Sequence, residues 1–570
     1  MGGDTALTSE AGRTGTPLPR KASISILVGM VTGIALALGH ALYSSEGGNI
    51  AFSSVRLWAT AAVIGVVVAV LGFLALTLLD RLEARSHSRT WPLSERIRSL
   101  RPGMRWLAFL LVISLSWIPA FLALYPGYFG CDGPLQLNCL MNYGFISLQW
   151  PTAHTLLLYV CVGGGNLLLG SYDAGVTLYC VVQAGLLAST MAYASSYLIE
   201  RGAPVSAVIA LTAITMLNPV VQTYAFVTAT DSMFGVFLLL SVVLVTRLLG
   251  LGGERAPRGL LVATALALTG LCLFRSQGVY IVIVVMILAA LILRKNARCL
   301  LGCSTTAILL MLAFNLVVGL AFTTQADAPY NSLNLQSQQI ARVWVYDRDS
   351  LTDEQVGQVE RYYDTDKLEG YLPYLSDPAK TSLRTDAYLE DKAGLTSLWL
   401  DLAKGHEGLY AEAFLWDWIG YLYPSAAVEN PRSGLTPWNE FGFQFEGSDS
   451  GNVITQDSLL PAYYEWLYDG CQHMFRGNIL LTLWVSIATP GYVLIASFML
   501  LARRRRMPFL IPWLVPFVFW GTLTLSPICS IRYVVPLFYC VPFLLLAPWI
   551  ARDSHEVAAH TQPARHIRAR

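Results

Sequence analysis

Four ionisable residues interrupt or border long apolar runs, where a charge costs roughly 2.5–3.5 kcal/mol on insertion scales. Asp132 lies in Tyr125-Pro126-Gly127-Tyr128-Phe129-Gly130-Cys131-Asp132-Gly133, just after an apolar run, and no other acidic residue stands in its loop. Asp231 opens another run in Thr228-Ala229-Thr230-Asp231-Ser232. Arg275 breaks Leu271-Cys272-Leu273-Phe274-Arg275-Ser276-Gln277-Gly278, and Arg532 stands in Ser530-Ile531-Arg532-Tyr533. A carboxylate at a membrane rim is placed to take a proton from an incoming hydroxyl. Guanidinium groups are shaped to clamp a phosphate. Each residue also has a local explanation. Asp132 before Gly133-Pro134 is good turn chemistry. Asp231 suits a helix N-terminus. The two arginines suit snorkelling to lipid headgroups. His154 follows Trp150-Pro151 and reads equally as a packed or capping residue. Gln338, Gln339 and Arg342 follow a later apolar run, where a substrate entering from the membrane would pass. Trp416, Asp417 and Trp418 resemble a sugar-stacking platform, and tryptophan packing at a membrane interface explains them equally well.

The elements that must position these residues are membrane-spanning helices. Of 570 residues, 55% are hydrophobic and 13% are charged, against roughly 25% in soluble chains. The net charge of +1 gives no footprint for nucleic acid. Runs of about twenty apolar residues fall at 24–43, 57–79, 106–125, 174–198, 205–224, 232–249, 260–274, 279–293, 300–322, 479–501, 509–525 and 533–550, which makes about twelve spans. The first follows Arg20-Lys21 and reads as a retained signal anchor. Lys and Arg collect in alternate loops: Arg81 to Arg101, Arg201, Arg247 to Arg258, Arg294 to Arg298, Arg503 to Arg506 and the tail. The short loops 44–54 and 128–151 carry neither residue, so both termini are expected in the cytoplasm. The apolar stretch 151–169 is split by Gly163-Gly164-Gly165-Asn166; a full crossing there would reverse every later loop. It is expected to lie at the outer interface or to dip in and out.

Residues 323–476 differ in composition, with 24 acidic against 10 basic residues and many aromatics, enough for an extracytoplasmic domain. Asp349-Ser350-Leu351-Thr352-Asp353-Glu354 marks a helix start inside it. Cys131 and Cys139 share one outside loop, a placement that allows a disulfide. Cys299 and Cys303 have no histidine partners and read as packed thiols. No phosphate-binding glycine loop, dinucleotide fingerprint or zincin helix is present, and no cytoplasmic loop could hold a nucleotide-binding domain.

Taken in order, these pieces resemble the GT-C glycosyltransferases, which use polyprenyl-phosphate sugars and include the protein O-mannosyltransferases and the aminoarabinose transferases. The matching pieces are Tyr125-Pro126-Gly127 with Asp132 and Gln136, Trp150-Pro151 with His154-Thr155, Asn218-Pro219 before Asp231, Arg275 before Gly278, Gln338-Gln339-Ile340-Ala341-Arg342, and Ser526-Pro527 with Arg532-Tyr533 and Pro536. They run from about residue 105 to 550, and the set is most similar to an uncharacterised bacterial branch. Members of that branch often carry Lys where Thr230 stands here. The resemblance implies an all-α polytopic fold with an interfacial helix in the first large outside loop. It implies Asp132 as catalytic base and Asp231 as a shaper of the acceptor or metal site. It further implies Gln136, His154, Arg275, Gln339, Arg342 and Arg532 as substrate-binding residues. A divalent metal fits beside the two aspartates, although nothing in the residues demands a cofactor.

The expected organisation is a tail (1–22), a two-span module with a basic loop (23–104), and a core (105–323) with catalytic loop 126–172. The extracytoplasmic, mainly helical domain (324–477), the last spans (478–550) and a second tail (551–570) complete it. The expected activity is transfer of a sugar from a polyprenyl-phosphate donor to an extracytoplasmic glycan, lipid or protein acceptor in the cell membrane. A transporter or flippase of lipid-linked saccharides is the rival class; it would need charges near the bilayer midplane. A polytopic assembly factor that only binds is a third.

Overall fold

Long apolar stretches cannot leave backbone polar groups unpaired in hydrocarbon, so they close their hydrogen bonds within helices. The computed structural model describes residues 18–45, 49–85, 92–251, 255–293, 297–424, 458–475, 477–504 and 509–550. Arg505, Arg506, Trp438, Arg89, Arg294, Lys295, residues 1–17 of the first tail and the second tail lie outside the described residues, whereas 18–22 already belong to helix Leu18–Ser44. Seven described helices are long and apolar enough to cross a membrane, and up to nine if each of two bent pairs counts as one. Four shorter apolar helices, Arg258–Phe274, Gln277–Ile292, Leu510–Leu525 and Ile531–Leu545, accompany them. The protein is thus an all-α membrane protein of many passes.

Two of the expected spans are broken. Helix Val205–Met216 turns by 65° into Pro219–Ala225. The break is written in Asn218-Pro219: proline has no N–H for the preceding turn, and the Asn218 side chain accepts from Val220 N–H at 2.9 Å to start a new helix. Ile479–Val485 and Thr489–Arg503 meet at 79°.

The glycines expected to split 151–169 do not do so. Thr152–Leu169 is one helix, and it ends only at Gly170, which is left-handed at φ 65°. Gly165 stays helical because its neighbour needs the space. A Cβ there would sit 2.3 Å from Gly175 Cα on helix Tyr172–Glu200, so the two backbones touch. The two helices form a tight hairpin, and Thr152–Leu169 meets the length and apolarity required of a span. The disulfide that the placement of Cys131 and Cys139 allows is not formed: both are free thiols.

The segment after helix Ala297–Ala321 has its own core, built on Ile340, Trp344, Tyr362, Leu398 and their neighbours. Thr352 starts helix Asp353–Tyr362 with a full capping box to Gln355. This segment docks on the first helical pair. Arg342 binds Glu412 at 2.7 Å and Asn49 at 3.0 Å, while Glu412 accepts from Ile50 N–H. Trp416 packs on Tyr43 at 5.0 Å between ring centroids. At the other end of that pair, Asp80 binds Lys21 at 2.5 Å and Arg503 at 2.8 Å. The first two helices, expected as an added module, are locked into the whole by these contacts.

Asp417 is 1% exposed, and among the described residues neither carboxylate oxygen has a hydrogen-bond partner. Burial pushes its carboxyl well above the ordinary range and so favours the protonated form in the folded chain. An unfolded aspartate ionises near roughly 3.9. Above that pH the folded state binds the extra proton, so stability falls as pH rises until the raised folded value is passed. In nanodiscs, Asp417→Asn is expected to flatten this decline in the unfolding midpoint. Parallel curves for variant and wild type would show that the carboxyl is not neutral.

Candidate active site

The two aspartates meet because their loops are laced together. Tyr128 N–H donates to Phe226 O at 2.8 Å and Thr228 N–H donates to Tyr128 O at 3.0 Å, which makes a short parallel bridge between Tyr128 and Val227. Gly130 N–H donates to the Thr228 hydroxyl at 3.2 Å. The second loop is held from behind by Gln183, whose amide donates to the carbonyls of Tyr224, Ala225 and Val227 at 2.9–3.1 Å. Cys131 has φ 57°, a left-handed conformation that costs a side-chain-bearing residue on the order of 1 kcal/mol and turns the chain into Asp132. Gly133 follows, and a Cβ there would lie 2.7 Å from the Thr228 hydroxyl. Gly133→Ala is therefore expected to push the two loops apart. Its effect should exceed that of Gly357→Ala, which meets nothing within 4 Å. Comparing the unfolding midpoints of the two variants checks this.

Neither aspartate caps a helix with its side chain, although both stand at helix N-termini. Arginines hold them instead. Arg532, at the start of helix Ile531–Leu545, bridges both: its Nη2 pairs with Asp132 and its Nε donates to Asp231 at 3.1 Å. Arg275, in extended backbone between two apolar helices, pairs with Asp231 through Nη1 and with Gln277 through Nε at 3.0 Å. Tyr533 lies between the guanidinium groups, 5.0 Å from Arg275 and 5.1 Å from Arg532, a double cation–π contact. Two negative and two positive charges balance. The Asp231 side chain is fully buried, whereas that of Asp132 is 26% exposed, so Asp132 is the carboxylate with access. Burial alone would raise the Asp132 carboxyl; the Arg532 guanidinium outweighs it and holds the group below its usual range.

Asp132, Arg275, Arg532 and Tyr533 line one cavity of about 1140 Å³. Its apolar side includes Val279 and Tyr280 of one helix and Met311 and Val318 of the next. A cavity of this size has room for a substrate considerably larger than water. Among the described residues no group of three or more His, Cys, Asp or Glu converges. With both aspartates already on guanidinium groups, the pair as arranged does not fit a divalent ion.

The other expected binding residues lie elsewhere. His154 is fully buried behind Asp132, with Nδ1 2.7 Å from Gln136 Oε1 and Nε2 2.8 Å from the Tyr179 hydroxyl. Tyr179 donates to Gln183, so it accepts from a hydrogen on His154 Nε2. Nδ1 then needs a donor, which Gln136 supplies when its amide nitrogen faces the ring. That orientation also employs the Gln136 nitrogen, otherwise partnerless. Gln136 and His154 position the loops and do not line the cavity. Gln339 bonds Tyr410 O at 3.0 Å and Trp399 Nε1 at 2.8 Å, and Arg342 binds Glu412; both serve the second core. Trp416 packs on Tyr43 and Trp418 on Trp520, and neither lines this cavity. Tyr533 and Trp150, which do line it, were not among the expected binding residues; their adjacency to Arg532 and Pro151 was the available signal.

These elements define a polytopic helical membrane protein with a charge-balanced centre on the wall of one large cavity. The model of the Family of unknown function (DUF6020) matches residues 141–427, and the chain belongs to that family. No curated protein matches the chain, and no solved structure does. The matched region contains Asp231 and Arg275 but neither Asp132 nor Arg532, so the centre joins residues inside and outside it.

Proposed function

We propose that this protein is a membrane glycosyltransferase that moves a sugar from a polyprenyl-phosphate donor to an extracytoplasmic acceptor. The observation that carries the proposal is Arg532 bridging Asp132 and Asp231 on the wall of a cavity with an apolar side. The apolar side suits an isoprenoid chain, and the arginines suit its phosphate. In the reaction the acceptor hydroxyl gives its proton to Asp132 while its oxygen bonds the anomeric carbon. The bond from that carbon to the phosphate oxygen breaks, and polyprenyl phosphate leaves with the electron pair. Negative charge grows on that oxygen, where Arg275 and Arg532 stabilise it. Attack from the far side inverts the anomeric centre. A phosphate that draws Arg532 toward itself also frees Asp132 to act as base.

The GT-C resemblance of Asp132, Asp231, Arg275 and Arg532 supports the same assignment. About twelve spans with both termini cytoplasmic would place the centre and residues 324–477 outside, in keeping with the basic loops. The test is sugar transfer in membranes supplied with labelled polyprenyl-phosphate sugars, wild type against Asp132→Asn. Movement of intact lipid-linked saccharide without transfer would instead establish a flippase.

A further inference from the structure

The cavity has a second set of lining groups, which the reaction above does not use. Gln149 and Trp150 come from the turn before helix Thr152–Leu169. Asp327, Asn331 and Lys380 come from the segment after helix Ala297–Ala321. A two-residue parallel ladder, Ile146 with Thr324 and Ser147 with Gln325, holds these two stretches side by side. Leu148 N–H extends it by donating to Gln325 O at 2.8 Å. The same segment is tied to the loop leading into Arg532. Ser376 N–H donates to Pro527 O at 2.9 Å, and Asn334 donates to Leu525 O at 3.3 Å. Second wall and arginine pair therefore belong to one frame.

The chemistry of this wall is that of hydroxyl recognition. Trp150 is a half-buried aromatic on the cavity surface. Its indole N–H and the side-chain amide of Gln149 make no hydrogen bond among the described residues. Asp327 binds Asn331 at 2.7 Å through one carboxylate oxygen, leaving acceptor capacity on the other. Lys380 is 2.6 Å from Asp377, so its charge is spent within the protein. Asp327, Asp377 and Lys380 together carry one net negative charge, which offers no attraction to a polyanion.

We propose that this wall is a saccharide subsite for a neutral glycan, with Trp150 as the stacking surface and Gln149, Asp327 and Asn331 as partners for hydroxyl groups. It rests on the glycosyltransferase assignment insofar as this glycan is the acceptor. The subsite can be tested without transfer. Full-length protein in nanodiscs is titrated calorimetrically with neutral tetrasaccharides of mannose, glucose and arabinose, and with tetragalacturonate. At least one neutral tetrasaccharide should bind more tightly than tetragalacturonate. Trp150→Ala should weaken that binding by about tenfold, Trp150→Phe should restore most of it, and Gln149→Ala, at an exposed position, should weaken it with the fold undisturbed. No neutral binding, tighter binding of tetragalacturonate, or wild-type binding by Trp150→Ala and Gln149→Ala would overturn the subsite. The two proposals fail separately. Transfer that depends on Asp132 with an acceptor KM indifferent to Trp150 leaves the enzyme and removes the subsite. Trp150-dependent glycan binding without any transfer leaves the subsite and removes the enzyme.

Discussion

Asp132→Asn is expected to lower sugar transfer by about 10²–10⁴-fold, the usual contribution of a positioned base. Asparagine keeps the shape and a contact to solvent but cannot accept the proton. The donor should still bind, because both arginines remain, with Arg532 kept on Asp231 at 3.1 Å. The loss should thus fall on kcat more than on the donor KM. The pH profile carries a second signature. Arg532 holds the Asp132 carboxyl below its ordinary range against the opposing effect of burial. The base form is therefore complete at neutral pH and is lost only as pH falls through that depressed value. Wild-type kcat/KM, which reports the free protein, should show no acid limb from this group above roughly pH 3.9, the free aspartate value. Transfer by Asp132→Asn at the wild-type rate would remove the assignment of Asp132 as base.

Arg532→Met should have the largest effect on stability and a large effect on transfer. Arg532 is the one guanidinium that touches both carboxylates. Removing it leaves Asp231, fully buried, with Arg275 as its remaining cation. Breaking a buried pair from one side costs roughly 3–5 kcal/mol, because the other charge stays behind. The double variant Arg532→Met/Asp231→Asn should recover part of that loss, since the stranded charge goes too. Arg532→Lys should restore less than its charge suggests: an ammonium is a point charge and cannot present the planar fork that reaches two carboxylates. Transfer should fall by about 10²–10³-fold in Arg532→Met through loss of charge stabilisation at the phosphate. Unfolding midpoints in nanodiscs and single-turnover rates measure the two effects. A single and a double variant of equal stability would show that Asp231 does not depend on Arg532.

How much was legible beforehand depended on whether the cause was local. Apolar length is a local property, so the helices and the acidic, aromatic composition of residues 323–476 could be read from the chain. Asn218-Pro219 carried its own helix break, but only its geometry showed that the break bends the span by 65°. Glycine content misled at Gly163–Gly165. Glycine weakens an isolated helix, yet here Gly165 allows backbone contact with Gly175, 10 residues on, and the hairpin keeps the helix intact. Gln339 and Arg342 looked like binding groups from their place after an apolar run and from the resemblance, and Trp416 and Trp418 from residue type. Their partners, Tyr410, Glu412, Tyr43 and Trp520, are distant enough in sequence or direction that no spacing announced them.

The sequence by itself determined that this chain lives in a membrane, because its apolar runs have no other stable solvent, and it marked Asp132, Asp231, Arg275 and Arg532 as charges needing a reason. Only the tertiary structure decided that these four form one ion-paired centre. The Tyr128–Val227 bridge and the loop before Ile531–Leu545 bring together segments up to 400 residues apart. Pairings over such distances follow from packing of the whole helical assembly and leave no periodic trace in the chain.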